Sequence, residues 1–142
     1  MLKGLDPILT GQMLLILQEM GHGDELVIAD ANFPAYAMGP SVVDMPGLES
    51  TRVLEAVLSL LPLDEFVDKP AGTMAAVHPG DADAMLALFQ KTCDAAEGKP
   101  VAIEEVERFA FYERARDAYA IVLTGERRLY GNIIVKKGVV RL

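Results

Sequence analysis

Short, wholly apolar runs alternate along this chain with longer segments in which apolar residues recur every three or four positions, and this alternation restricts the fold most. Leu26-Val27-Ile28-Ala29 is a compact buried-strand pattern, preceded by polar and glycine punctuation. Before it, Thr10 can cap a helix through Met13, Leu14, Leu17 and Met20, with Gly21 as its stop. Ser50 precedes a second helix with Val53, Leu54, Val57, Leu58 and Leu61 on its inner face, ended by Pro62. Asp81 or Asp83 can start a third, with Met85, Leu88, Phe89, Cys93 and Ala96 at helical spacing before Gly98. Further strands are expected over 42–45, 73–77, 101–106, 118–123 and 132–136, and a short helix over 109–117. Strands alternating with helices imply an α/β layered fold, a central β-sheet flanked by helices, and 142 residues fit one domain spanning 1–142.

Hydrophobic residues make up 51% of the chain, high for a small soluble monomer, so part of the apolar surface is expected to meet other subunits. No apolar stretch is long enough to cross a bilayer, and the N-terminus lacks the pattern of a signal peptide, so a cytoplasmic location with no membrane partner is expected. The single cysteine, Cys93, allows no intrachain disulfide and falls in a helical pattern, where it reads as buried. A net charge of -8 opposes nucleic-acid binding and suits a neutral ligand.

Four places carry groups capable of chemistry. His22, in Gly21-His22-Gly23-Asp24-Glu25, lies just past a helix end, where an imidazole can serve as general acid or base near neutrality. Taken locally, a histidine decorating the negative end of a helix is the favoured reading. Asp30 closes the first strand, where ligand clefts of α/β sheets lie, and its carboxylate can accept from sugar hydroxyls or cap the Asn32-Phe33-Pro34 loop. Arg108 opens Arg108-Phe109-Ala110-Phe111-Tyr112, offering five fixed donors beside aromatic faces, or else a surface charge on an amphipathic helix. Tyr130-Gly131-Asn132 is a turn before the last strand, and also a phenol and a carboxamide able to bond several hydroxyls. Gly21-His22-Gly23 follows a helix rather than a strand and is no dinucleotide loop; His22 and His78 are not spaced as metal ligands. No metal and no cofactor is expected.

In order along the chain, GHGDELVIADANFPA (21–35), MGP (38–40), RFAFYERA (108–115) and TGERRLYGNIIVKKG (124–138) resemble the L-fucose mutarotase branch of the ribose pyranase and fucose mutarotase family. The resemblance implies an RbsD-like α/β fold, a homo-oligomer built as a pentameric ring or a decamer, and a sugar site near subunit contacts. By it, His22 matches the proton donor, and Asp30, Arg108, Tyr130, Gly131 and Asn132 match the residues that hold a small neutral monosaccharide. The implied activity is interconversion of the α and β anomers of L-fucose or a related sugar. The alternatives are D-ribose pyranase activity and a noncatalytic sugar-binding accessory of a transport system. The ribose branch usually carries histidine where Arg108 stands, which favours fucose; Tyr36 departs from the histidine expected in close fucose mutarotases. Either Asp24 or Asp30 is placed by sequence to assist His22.

Arg108→His is accordingly expected to lower exchange of fucose anomers more than interconversion of ribose forms, because imidazole is shorter and lacks the forked donors of guanidinium. The ratio of the two rates, read by NMR, checks this, and an unchanged ratio removes Arg108 from sugar selection.

Overall fold

The computed structural model describes residues 1–142. In chain order it contains α1 (Gly11–Glu19), β1 (Glu25–Ala29), β2 (Ser41–Met45), α2 (Ser50–Leu58), β3 (Ala71–Met74), α3 (Asp83–Glu97), β4 (Ile103–Val106), α4 (Arg108–Asp117), β5 (Ala120–Thr124) and β6 (Ile133–Lys136). The strands form one six-stranded sheet in the order β2-β5-β1-β6-β3-β4. All neighbouring pairs are parallel except those made by β6, which runs antiparallel to both β1 and β3. The expected layered α/β architecture is present.

Both faces of the sheet are covered, which is why its central strands read as unbroken apolar runs rather than as alternating ones. Leu26, Ile28, Val122, Ile133 and Val135 point into the larger core, shared with apolar residues of α1, α2 and α3. Val27, Ala29, Ile121 and Ile134 face the opposite way and pack with Phe111 and Ala115 of α4 and with Phe33. Cys93 is fully buried in the larger core, and burial pushes its thiol up to about 12, so it is an inert packing residue.

Local signals act as expected at two helix ends. The Thr10 hydroxyl accepts from the Met13 N–H at 3.2 Å, and Gly98 takes the left-handed conformation (φ 70) that ends α3. Tertiary contacts override them elsewhere. Ser50 does not cap α2; it is the first helical residue, and its hydroxyl is drawn to the buried Glu126 carboxylate. The helix also stops at Leu58, before Pro62. The strand expected over 73–77 is Ala71–Met74, shifted because ladder pairing with β4 and β6 begins at Ala71. The fourth and fifth strands likewise begin later than their apolar runs, at Ile103 and Ala120.

The loops that follow β2 and β5 cross closely: the Gly125 N–H donates to the Leu48 carbonyl at 2.8 Å. A Cβ on Gly125 would lie 2.0 Å from the Pro46 carbonyl oxygen, a backbone atom that cannot swing aside. Gly125→Ala is therefore expected to destabilise the fold by about 3 kcal/mol. Gly47→Ala, where an added methyl meets no atom within 4 Å, serves as the near-neutral control. Urea denaturation midpoints of the two variants against wild type check this.

Candidate functional site

The carboxyl ends of the parallel strands and the entry to β6 meet at one end of the sheet. Asp30 follows β1 there, and Asn132 immediately precedes β6. The two buried side chains lock together: Asn132 Oδ1 accepts from the Asp30 N–H at 2.7 Å, and its Nδ2 donates to Asp30 Oδ2 at 2.9 Å. The other carboxylate oxygen, Oδ1, accepts from the Asn32 N–H at 3.0 Å. This is the Asx turn that the loop composition suggests. Burial raises the Asp30 carboxyl above its ordinary range, outweighing the hydrogen bonds from Asn32, Asn132 and Gly131; the nearby Glu126 charge raises it further.

The Tyr130-Gly131-Asn132 turn explains itself sterically. A Cβ on Gly131 would lie 2.5 Å from Glu126 Cγ and 3.2 Å from Asp30 Cβ, so glycine is required by close approach. The left-handed conformation falls on Tyr130 instead (φ 60), a strained choice for a bulky residue. Its hydroxyl accepts from the Val77 N–H at 3.1 Å, tying the turn to the loop after β3. Arg108, the first residue of α4, follows β4 at this same end and is exposed, with its guanidinium 4.7 Å from the Phe109 ring centroid. Phe33, Phe109 and Tyr112 form an aromatic group beside it, with ring centroids 5.7 Å apart for Phe33–Tyr112 and 6.4 Å for Phe109–Tyr112.

Beneath the turn lies a carboxylate that the sequence reading did not single out. Glu126 is 1% exposed, and its carboxylate receives the Arg128 guanidinium at 2.8 and 2.7 Å and the Arg128 N–H at 3.0 Å. Its backbone carbonyl accepts from the Ala31 N–H at 2.9 Å, joining the Tyr130 turn to the Asp30 loop. The Arg128 side chain, opposed by burial, holds the Glu126 carboxyl down at about 2.

His22 stands elsewhere. It precedes β1, whereas Asp30 follows it, and a five-residue strand spans about 17 Å, so the two lie at opposite ends of the sheet. Neither aspartate offered by the sequence pairs with this histidine in the chain. Asp24 closes its own turn, accepting from the Gly21 N–H at 2.7 Å, and Asp30 is at the far end. Instead His22 Nε2 is 3.0 Å from Oδ1 of Asp64, a residue 42 positions away and 4% exposed. Burial pulls the Asp64 carboxyl up, but the Phe66 N–H and His22 outweigh it and leave it below its ordinary range. An ionised carboxylate only accepts, so Nε2 carries the hydrogen and Nδ1 is the atom left to take up and deliver a proton. The imidazole remains about half exposed (47%).

The closing segment of the chain builds this second place. Lys137 Nζ donates to the Leu17 and Met20 carbonyls at the end of α1, and the Gly23 N–H donates to the Lys137 carbonyl at 2.8 Å. Gly138 approaches so closely that an added Cβ would sit 2.5 Å from the Leu63 carbonyl oxygen and 2.8 Å from Asp64 Cα. Thus Lys136-Lys137-Gly138 fixes both the His22 turn and the Asp64 loop. Nothing local marks Asp64 among the acidic residues of 64–68. For Glu126 a local signal existed in an acid two positions before Arg128.

Asp64 borders a small cavity of about 180 Å³ together with Leu63, Val67 and Asp68. A cavity of about 650 Å³ between α2 and α3 is lined by none of these residues. No cluster of three or more His, Cys, Asp or Glu side chains could hold a metal ion. What the chain offers is a hydrogen-bonded set of polar groups at one end and a carboxylate-backed imidazole at the other.

Fold and side chains together define a class: a small α/β protein with a mixed six-stranded sheet and polar, ionisable groups gathered at both of its ends. The chain belongs to the RbsD / FucU transport protein family, whose model matches residues 3–140. It is 46% identical over 142 residues to an L-fucose mutarotase of Glaesserella parasuis serovar 5 (strain SH0165), covering 98% of this chain and 96% of that one. Among solved structures, the fucose mutarotase of Streptococcus pneumoniae in complex with L-fucose superposes with a TM-score of 0.93 at 38% identity, covering 99% of this chain and 100% of that one. FucU from Bifidobacterium longum superposes at 0.92 with 44% identity, covering 98% and 100%.

The depressed Glu126 carboxyl gives a stability prediction with a definite sign. A carboxyl at about 2 in the folded chain, against an ordinary 4.5, contributes stability that is complete above about pH 5 and lost as pH falls through 2. Glu126→Gln is expected to be less stable than wild type by about 1–3 kcal/mol at pH 7, with the difference vanishing near pH 2. Urea titrations at several pH values measure it; a difference that does not change with pH would show that charge is irrelevant there.

Proposed function

We propose that this protein is a mutarotase, an isomerase that interconverts the α and β anomers of L-fucose. The observation that carries the reading is the pair of preformed half-sites at opposite ends of β1, in a chain 46% identical to an L-fucose mutarotase. Mutarotation needs one proton delivered to the ring oxygen and one taken from the anomeric hydroxyl. The product is an open-chain aldehyde, which rotates about C1–C2 and closes on the other face. No redox step and no net proton change occur: one acid gives the ring oxygen its proton, a base (a water or a second side chain) takes the anomeric proton, and both transfers reverse on reclosure.

His22 Nδ1 is the donor in this reading, with Asp64 holding the imidazole in one tautomer and orientation, as carboxylates do for catalytic histidines. Asp30, Asn132, Gly131, Tyr130 and Arg108 hold the sugar hydroxyls. Because both half-sites cannot reach one ligand within a chain, the working site joins the Asp30 end of one subunit to the His22 end of the next. The two surfaces differ, so the contact is head-to-tail and closes into a ring, such as the pentamer or stacked decamer. Exposed apolar side chains lie on both: Phe66 and Val67 near His22, and Val77, Phe109 and Leu129 near Tyr130. The acidic surface leaves a neutral sugar as the ligand, and the lone buried cysteine fits a cytoplasmic setting. No helix is long and apolar enough to cross a membrane.

Complementation between inactive chains tests both the donor and the shared site. His22→Ala and Tyr130→Phe are each expected to lower anomeric exchange of L-fucose about a hundredfold, followed by NMR. Unfolded and refolded together at equal ratio, they place both intact groups in about a quarter of the shared sites, and exchange is expected to return to a level far above either parent. If light scattering shows mixed rings and the mixture is no faster than its parents, the shared site is wrong.

A further inference from the structure

Phe66 is an aromatic side chain that the fold holds in place but does not bury. It is 67% exposed, contributes to neither core cluster, and yet is fixed from three sides. Its backbone N–H donates at 3.0 Å to Asp64 Oδ1, the same oxygen that lies 3.0 Å from His22 Nε2. Its ring centroid is 5.2 Å from that of His22. The Arg141 guanidinium, itself 3.2 Å from the Glu65 carboxylate, lies 5.8 Å from the ring. One carboxylate oxygen thus positions both the imidazole and the start of the phenylalanine, and wherever His22 is presented to a ligand, Phe66 is presented beside it.

We infer that Phe66 selects the sugar, forming an apolar wall against the C6 methyl group of a 6-deoxypyranose. The inference rests on the mutarotase reading with the site shared between subunits. His22 must come within about 2.6–3.2 Å of the ring oxygen to protonate it. The ring oxygen has two carbon neighbours, C1 and C5. C1 carries the hydroxyl that must swing between faces and suits polar surroundings; C5 carries the methyl, the most apolar point of the molecule. A phenyl ring in contact with the imidazole reaches the C5 side without needing any hydrogen bond, and burying a methyl against it discriminates by about tenfold or more. The unusual exposure of Phe66 in one chain is then the mark of a surface completed by the neighbouring subunit's sugar.

L-Fucose, D-arabinose and L-galactose in their pyranose forms share one ring configuration and differ only at C5, which bears methyl, hydrogen and hydroxymethyl respectively. Exchange rates of the three, at subsaturating sugar, are measured by NMR for wild type, Phe66→Ala, Phe66→Leu and Phe66→Tyr, with light scattering as the control for assembly. Truncation leaves the backbone N–H on Asp64 and so keeps the His22 pair. Phe66→Ala is expected to lower the fucose-to-arabinose rate ratio about tenfold. Phe66→Leu should fall between it and wild type, and Phe66→Tyr should keep the wild-type ratio. A ratio unchanged in Phe66→Ala and Phe66→Leu, whether the rates are retained or fall together, overturns the assignment. Failure of the underlying reading shows differently, as a wild-type protein that exchanges none of the three sugars.

Discussion

The sheet depends on one strand that runs against its neighbours. β6 lies between β1 and β3 and is antiparallel to both, so it enters at the carboxyl end of the parallel strands and leaves at their amino end. Its entry delivers Asn132 to Asp30; its exit delivers Lys137 to the end of α1 and Gly138 to Asp64. A parallel β6 would have put both groups at the wrong ends. Residues 124–138, one continuous motif in the sequence, therefore serve two places separated by the full length of β1. Fully buried Ile133, Ile134 and Val135 keep the strand in register, since a slip by one residue would turn its apolar side chains to the wrong faces.

One end carries a half-exposed, carboxylate-backed imidazole; the other carries the buried Asp30–Asn132 pair under the Tyr130 turn, with Arg108 exposed beside it. Rigidity within each half comes from buried polar contacts with few alternatives: Asn132 with Asp30, Arg128 with Glu126, Asp64 with both His22 and the Phe66 backbone. No buried side-chain nitrogen or oxygen lacks a hydrogen-bond partner, so these networks specify one geometry. The strained Tyr130 backbone is held inside such a network, between the Gly131 contact with Glu126 and the hydrogen bond from Val77. Positioning of this kind suits a reaction whose barrier is mostly proton transfer and orientation.

Tyr36 takes a local partner: its hydroxyl donates to the Asp44 carboxylate on β2, which raises the phenol's pKa. It is exposed, with its hydroxyl directed back to the sheet edge.

By itself the sequence determined what is local. Thr10 and Gly98 mark helix ends, apolar runs mark strands buried on both faces, and the glycine-rich and aromatic motifs carry the family and its chemistry, because caps, periodicity and turn composition act over a few residues. His22, Asp30, Arg108, Tyr130, Gly131 and Asn132 were all visible as chemically able residues. Their partners were not. Asp64 meets His22 across 42 positions and Asn132 meets Asp30 across 102. Ser50, which looks like a cap, spends its hydroxyl on Glu126, 76 positions away. Only the order and direction of the strands decided these pairings, and only they decided that His22 and Asp30, eight residues apart in the chain, face opposite ends of the sheet. The physical reason is that an extended strand converts a short separation in sequence into about 17 Å of distance, whereas a sheet brings distant residues within one hydrogen bond.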